Sequence, residues 1–473
     1  MHRRISRREA IRWGGIALGG GVLSSGPDVR RALAGKTADV LRLAAFRADV
    51  TPRLGHPLLG GHFAPARSID DPLFVHGVVL LGGDAPIVLA AVDWCEIRND
   101  AYARWREALA EAAGTSTQRV LLSSVHQHDA PLADLTAARH LAEAGVERPI
   151  IDPDFHERMV QRTAAALKQS LSSARRVTHY GIGRAIVRRV ASNRRVVLSD
   201  GSPAFARGSA GSSAAVRDLP EGLIDPWLRV ISFWDESQPV AALNAYATHP
   251  MSYYGRGAVS SDFVGLARAR RQQETPDVHQ VYFSGCSGDV TAGKYNDAAP
   301  EHRERLTQRM HRAMVDAWNA TTRHRLERVE FRAVPLVLPH REGDQTAEAL
   351  RARLSDESLD LMPRALAAMG LSSRQFHPEG HRIDVAAIDL GQAQIVLLPG
   401  ESLVGYQLTA SRLRPDQFVM AIGYGECSPG YIPTDAAADE GYASSQGWCW
   451  VAAGVEDRMV AALRAALRAD SAD

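Results

Sequence analysis

Short apolar runs bounded by polar or glycine-rich turns alternate along this chain with longer stretches of helical periodicity. Residues 41–51 (LRLAAFRADVT) alternate apolar and polar positions and predict a strand that ends at Pro52. Residues 74–81 and 86–92 are further apolar runs joined by Gly82-Gly83-Asp84, a hairpin signal. Helical spacing over 100–113 leads into 118–123 (QRVLLS), which is too brief for a helix and predicts a buried strand. Beyond it the pattern predicts a helix over 155–171, strand character over 177–190, and strands over 225–233 and 240–246. A helix over 262–273, a strand over 278–283 and a long helix over 301–320 follow. Residues 345–368 supply two helical stretches, 385–398 two strand runs about Gly391, 401–413 a helix, 418–423 a strand, and 455–467 a terminal amphipathic helix. Residues 191–215 carry SNRR, SDGSP and GSAGSS and predict loops over a scaffold, because patterning resumes on both sides. Mixed alternation with several hairpins predicts an α/β fold, with mixed β-sheets flanked by helices. No internal repeat shows in the pattern.

The chain has 473 residues, 45% of them apolar, enough to bury a large core; length alone allows two or three domains, or one large α/β domain over residues 35–473. With 55 basic and 54 acidic residues there is no basic excess, so no nucleic-acid partner is expected. No apolar run approaches the ~20 residues of a membrane span. The N-terminus reads as an address. Arg7-Arg8 is a twin-arginine pattern, an apolar glycine-rich run follows, and Ala32-Leu33-Ala34 is a small-x-small cleavage site. Residues 1–34 are thus expected to be a leader for export of the folded chain to the periplasm or beyond. Cys95, Cys286, Cys427 and Cys449 are too few for a stapled scaffold and contain no CxxC, although an oxidising compartment would permit one or two disulfides.

Candidate chemistry collects where apolar strands end. The stretch 123–131, SSVHQHDAP, places His126 and His128 two apart at the end of the 118–123 strand, where alternation turns both imidazoles to one side. His249 follows the 240–246 strand, Glu401 the 385–398 pair, and Tyr431 the 418–423 strand. Two imidazoles, a carboxylate and a phenolate suit zinc, with room left for water. Thr291, Asp262 and Glu401 also read as helix-capping or helix-dipole residues.

These residues, taken together, resemble the neutral/alkaline ceramidases, and the likeness runs from Arg47 almost to the C-terminus. Its elements are ADVTPRLGHPLLGG at 48–61, HxHxxP at 126–131, Asn193-Arg194, and His249 with Ser260-Ser261-Asp262. Gly288-Asp289-Val290, Pro399-Gly400-Glu401 and a YxxT phrase at 431–434 complete the set. The resemblance implies one Zn2+ per chain held by His126, His249, Glu401 and Tyr431. It implies that His128 stabilises the oxyanion or donates to the leaving amine, that Tyr442 shares that task, and that Thr291 positions the substrate. Arg194 and Asp262 would bind substrate. The implied reaction is hydrolysis of the amide of ceramide or a related N-acyl compound, a small-molecule or lipid substrate that would allow peripheral membrane contact. Three departures stand out. Thr291-Ala292-Gly293 replaces a Ser-Pro-Asn run, Asp129 replaces a serine, and the chain stops where the catalytic domain stops, without a C-terminal immunoglobulin-like domain. They suggest a pocket retuned toward a smaller or cationic N-acyl compound, with Asp129 beside the leaving amine. The alternatives are a hydrolase with a Thr nucleophile, or a Cys nucleophile at Cys286 or Cys427, and a non-catalytic zinc- or lipid-binding protein of the same fold.

Overall fold

The computed structural model describes residues 40–442 and 447–469, so the expected leader lies outside the described residues. Strands β1 (Arg42–Asp49), β2 (Phe74–Leu81), β3 (Ile87–Val92) and β4 (Val120–Ser124) form the first sheet. The first two pairings are antiparallel and β3–β4 is parallel, reached through helix α1 (Asn99–Ala113). Helix α2 (Pro153–Ser170) then returns to pack on β1 and α1. Sequence fixes where these helices start and stop. Asp152 caps α2 by accepting from the Asp154 and Phe155 amides, Pro153 occupies its first turn, and Gly114 ends α1 in the left-handed region at φ 68°.

This arrangement occurs twice more. Strands β5 (His179–Ile186), β6 (Trp227–Asp235), β7 (Gln238–Tyr246) and β8 (His279–Ser284) repeat it, with α3 (Asp262–Glu274) crossing between β7 and β8 and α4 (Glu301–Asn319) packed on β5. Strands β9 (Glu330–Leu338), β10 (His381–Asp389), β11 (Ala393–Leu397) and β12 (Phe418–Ile422) do so again, with α5 (Val404–Leu413) as crossover and α6 (Glu456–Leu467) packed on β9. Antiparallel, antiparallel, parallel is the order of pairing among these four strands in each sheet, and the first two sheets add a short antiparallel edge strand, Arg175–Arg176 and Thr322–Arg325. The chain therefore contains a threefold repeat of topology, against the expectation of none. Sequence periodicity could not reveal it, because what recurs is strand order, while the connecting segments differ in length and composition.

Alternation along the strands builds the core. Leu43, Val78, Leu89 and Leu121 of the first sheet join Val230, Leu243 and Val281 of the second and Ile388, Ile395 and Met420 of the third in one buried cluster. The intervening residues Ala44, Phe46, Val88 and Leu122 face α1 and α2 in another. Strands covered on both faces read as unbroken apolar runs, which is why they were visible in the sequence. Each fully buried Val, Leu or Ile contributes roughly 1.5–3 kcal/mol. Strand β9 was not expected. It carries Pro335, which a central strand would not tolerate, and it lies at the edge of its sheet where the missing N–H is harmless. The strand expected over 177–190 ends at Ile186, and Glu401 stands in a two-residue strand ahead of α5 rather than within the helix. All four cysteines are buried free thiols, so the disulfides that an oxidising compartment would permit are not formed. Among the described residues no helix is long and apolar enough to cross a membrane.

The carboxyl ends of the three parallel pairs meet. The Ser124 amide donates to Tyr424 O and the Gly423 amide to Ser284 O, both at 2.9 Å. Ser284 Oγ closes the circuit by donating to Val125 O at 2.7 Å. Every segment that leaves this junction starts from the same small region.

Candidate metal centre

Just past β4 the chain turns into the left-handed region at His126, φ 72°, an uncommon conformation for a non-glycine residue. Its amide donates to Trp94 O at 2.9 Å, Nδ1 bonds to Cys95 O at 2.9 Å, and the ring stacks on Tyr424 at 4.3 Å between centroids. His249, after β7, is tied likewise, with its amide to Val290 O at 2.9 Å and Nδ1 to Ser287 O at 2.7 Å. Both rings thus donate through Nδ1 to backbone carbonyls, which leaves both Nε2 atoms as acceptors with fixed aim. They converge on Glu401, whose Oε2 lies 3.2 Å from His126 Nε2 and 3.0 Å from His249 Nε2.

Three buried donors at these separations suit one small ion, since ligands about 2.0–2.2 Å from a tetrahedral centre lie about 3.4 Å apart. These same three residues form a cluster able to hold a metal ion. Burial alone would raise the Glu401 carboxyl, but the His126 and His249 imidazoles overcome this and hold it far below the usual carboxylate range. Burial, then the Arg194 charge, lowers His249 to about 4; burial is also the largest influence on His126, yet the charge and hydrogen bond of Glu401, with Glu96 and the Cys95 carbonyl, together raise it. Tyr431 pairs in register with Glu401 across a short parallel bridge, and its ring lies 6.5 Å from that of His249. Burial, then Glu401, pushes its phenol up. Gly288 permits this approach, since a Cβ there would stand 2.3 Å from Glu401 O.

The other expected residues surround this group. His128 Nε2 lies 3.4 Å from His126 Nε2, and burial followed by the two neighbouring imidazoles keeps His128 neutral. Thr291 belongs to a short strand and bridges His249 backbone to backbone, so it caps no helix; its Oγ1 is buried without a partner. The Arg194 amide donates to Asp289 O at 2.7 Å, and its charge is felt by Tyr431, Tyr442 and Glu401. The Tyr442 hydroxyl donates to Gly288 O at 2.8 Å, and its ring meets Tyr431 edge-on at 5.5 Å.

Asp262 lies apart from the three donors. It opens α3 at φ 52°, accepts from the Ser252 amide at 2.9 Å, and so fixes the loop that follows His249. Asp129 Oδ1 accepts from the Gly255 amide at 2.9 Å and so holds a loop, a role that the sequence did not suggest, while its buried Oδ2 has no partner. The thiols are no better placed as nucleophiles, because burial pushes Cys449 to about 11 and also raises Cys95, Cys286 and Cys427.

Sequence reasoning passed over Tyr424, which stacks on His126 and shares a 2.7 Å hydrogen bond with Ser287 Oγ. Its flanking Gly423 and Gly425 at a strand end were the available signal.

No protein-family model matches the sequence, and a search of curated proteins gives no match either. Solved structures do match. The neutral ceramidase of Pseudomonas aeruginosa aligns with a TM-score of 0.64 at 14% identity, over 91% of this chain and 74% of that one. A structure described as a ceramidase complexed with C2 aligns at 0.65 and 13% identity, over 91% and 75%. At such identities the likeness speaks for architecture. This chain has the fold of the neutral ceramidases.

Proposed function

We propose that this chain is a zinc-dependent amidohydrolase acting on the amide of an N-acyl compound. The observation that carries the reading is the convergence of His126 Nε2 and His249 Nε2 on Glu401 Oε2, at 3.2 and 3.0 Å, beside the neutral His128. Two imidazoles with oxygen donors favour zinc over calcium or magnesium, which take oxygen alone. The shared fold supplies the substrate class, since both solved neighbours are described as ceramidases.

His126, His249, Glu401 and Tyr431 are the residues that would hold the ion. Bound there, zinc supplies Lewis acidity that polarises an amide carbonyl and acidifies water. The chain's own residues do the rest. Hydrolysis adds water across the C–N bond, so the amine must gain a proton as it leaves. His128, uncharged and the more accessible of the three histidines, is placed to relay it. Thr291 Oγ1 has a hydrogen bond to offer an oxygen lying beside His249. Arg194 brings a positive charge that interacts with Tyr431, Tyr442 and Glu401. The Arg7-Arg8 leader would carry the folded chain out of the cytoplasm, which fractionation of an Arg7→Lys, Arg8→Lys double variant checks.

The test is elemental analysis of the purified protein with turnover of N-acyl amides before and after chelation. About one zinc per chain and activity restored by zinc are expected. Activity that resists removal of all metal overturns the reading.

A further inference from the structure

The two flanks of the site differ in chemistry. On one, His128 is half-buried behind an aromatic mouth, with Phe63 at 6.3 Å and Tyr254 at 5.7 Å from its ring and 5.5 Å from each other. On the other stands Arg194. Its guanidinium reaches Ser209 Oγ at 3.5 Å, while its Nε is buried with no partner. Among the described residues no carboxylate lies within ion-pair distance of it, although the chain pairs most of its buried arginines, such as Arg98 with Glu96 and Arg268 with Asp93. A half-buried cation with no ion-pair partner is costly, and the charge of this one interacts with Tyr431, Tyr442 and Glu401, the groups around the proposed metal position.

A wall closes the Arg194 flank. Residues 205–212 lie across it. Phe205 packs edge-on to Tyr442 at 4.6 Å, and Arg207 donates to the carbonyls of Asn193, Leu219 and Pro220 at 2.9, 2.9 and 3.0 Å. Asn296 Nδ2 ties the wall to the loop after His249, donating to Ser209 O at 2.9 Å and to Met251 O at 3.0 Å. The approach is close enough to require glycine at 293, where a Cβ would stand 1.8 Å from Gly208 O. Gly293 belongs to the run that departs from the ceramidase pattern. The wall thus lies on the Arg194 flank and the aromatic pair on the His128 flank.

We propose that the site takes an N-acyl compound with one apolar chain, which leaves past Phe63 and Tyr254, and a small carboxylate head group held by Arg194 against the wall at 205–212. This rests on the amidohydrolase reading and narrows its substrate. Hydrolysis of such a compound consumes one water and releases a fatty carboxylate and an amino acid. An Arg fork matches a carboxylate in geometry as well as charge.

The experiment compares N-dodecanoylglycine, N-dodecanoylethanolamine and N-dodecanoylsphingosine, with binding followed by calorimetry on metal-free and zinc-loaded protein and released amine measured in parallel. The glycine conjugate is expected to bind at least about tenfold more tightly than the ethanolamide, the worth of one charge-assisted contact. Arg194→Gln brings the two within about twofold. Gly293→Ala, which must push the wall outward, narrows the gap between the glycine and sphingosine compounds. Parent and Arg194→Gln alone decide the matter if Gly293→Ala does not fold. Equal binding of the two head groups in the parent, a preference unchanged in Arg194→Gln, or tightest binding of the sphingosine compound overturns the proposal. Selective binding of the glycine conjugate without cleavage overturns the amidohydrolase reading and leaves this one standing; cleavage of all three without head-group preference does the reverse.

Discussion

His126 combines a left-handed backbone, a Cys95 carbonyl behind Nδ1 and a Tyr424 ring against its face, so its Nε2 has little freedom of aim. Removing one imidazole from such a site leaves too few donors for an ordered geometry. His126→Ala and His249→Ala are each expected to lose stoichiometric zinc by elemental analysis while keeping the parent's far-ultraviolet circular dichroism. Thr291 gives a finer test at the same scale. Thr291→Val keeps the shape and is expected to cost on the order of 10²-fold in turnover if the orphaned hydroxyl bonds a developing oxyanion, whereas Thr291→Ser retains activity. Asp129 makes a statement about pH. Burial raises its carboxyl from 3.8 to about 7, so the folded protein holds a proton there that the unfolded chain has released. Stability from this group is present in full below about pH 4 and is lost as pH rises through 7, a loss on the order of 2–3 kcal/mol between pH 5 and 8. Urea unfolding at those two pH values is expected to show that part of the slope vanish in Asp129→Asn. The sequence exposed the HxH pair but for an incomplete reason. Strand alternation predicts rings on one side, yet β4 ends at Ser124 and it is the turn at φ 72° that brings the two Nε2 atoms to 3.4 Å. The loop-holding role of Asp129 was not legible, because a carboxylate's partner, here the Gly255 amide from a loop more than a hundred residues away, leaves no trace in local sequence.

At the scale of elements, strands were legible where both faces are covered and illegible at edges, as β9 shows. The short bridges that carry chemistry, Glu401–Ser402 with Tyr431–Ile432 and Ser192–Asn193 with Val290–Thr291, are two residues long and have no pattern of their own. They are set by what the longer elements hold apart. One such brace is the buried pair of Asp93, at the end of β3, and Arg268 on α3, joined by two hydrogen bonds of 2.7 and 2.6 Å. Asp93 also accepts from the Phe74 amide at 2.9 Å, so the brace links the first sheet to the second crossover helix. Arg268→Met strands a buried carboxylate and is expected to destabilise the fold by about 3–5 kcal/mol in urea titration. Asp93→Asn in the same chain is expected to recover part of that loss, because it removes the orphaned charge.

For the whole molecule, the residues that would hold the ion come from all three topological units, His126 from the first, His249 from the second, Glu401 and its bridge partner Tyr431 from the third. An ion bound only by the assembled fold stabilises all of it by mass action. Calorimetry of metal-free protein is therefore expected to show one unfolding transition at a lower midpoint, regained on adding zinc. A separate early transition from one unit would contradict the shared site. The convergence itself was beyond sequence reading. Each motif could be placed at a strand end, but which strand ends share a corner depends on the Ser124–Tyr424 and Gly423–Ser284 hydrogen bonds between sheets.

That junction divides labour between the two ends of the molecule. At one end the three sheets turn by hairpins such as Leu80–Ile87 and Asp235–Gln238, and nothing there touches the chemistry. At the other end the segments 125–150, 187–226, 247–259, 285–300, 398–403 and 423–442 carry most of the groups discussed above, His126, His249, Thr291, Arg194, Glu401 and Tyr431 among them. A lineage built on this plan could exchange one substrate for another by rewriting those segments alone, because the scaffold that aims them is stabilised elsewhere. Glycine at 293 shows how small such a change could be: a single Cβ there would stand 1.8 Å from Gly208 O and force the wall to move.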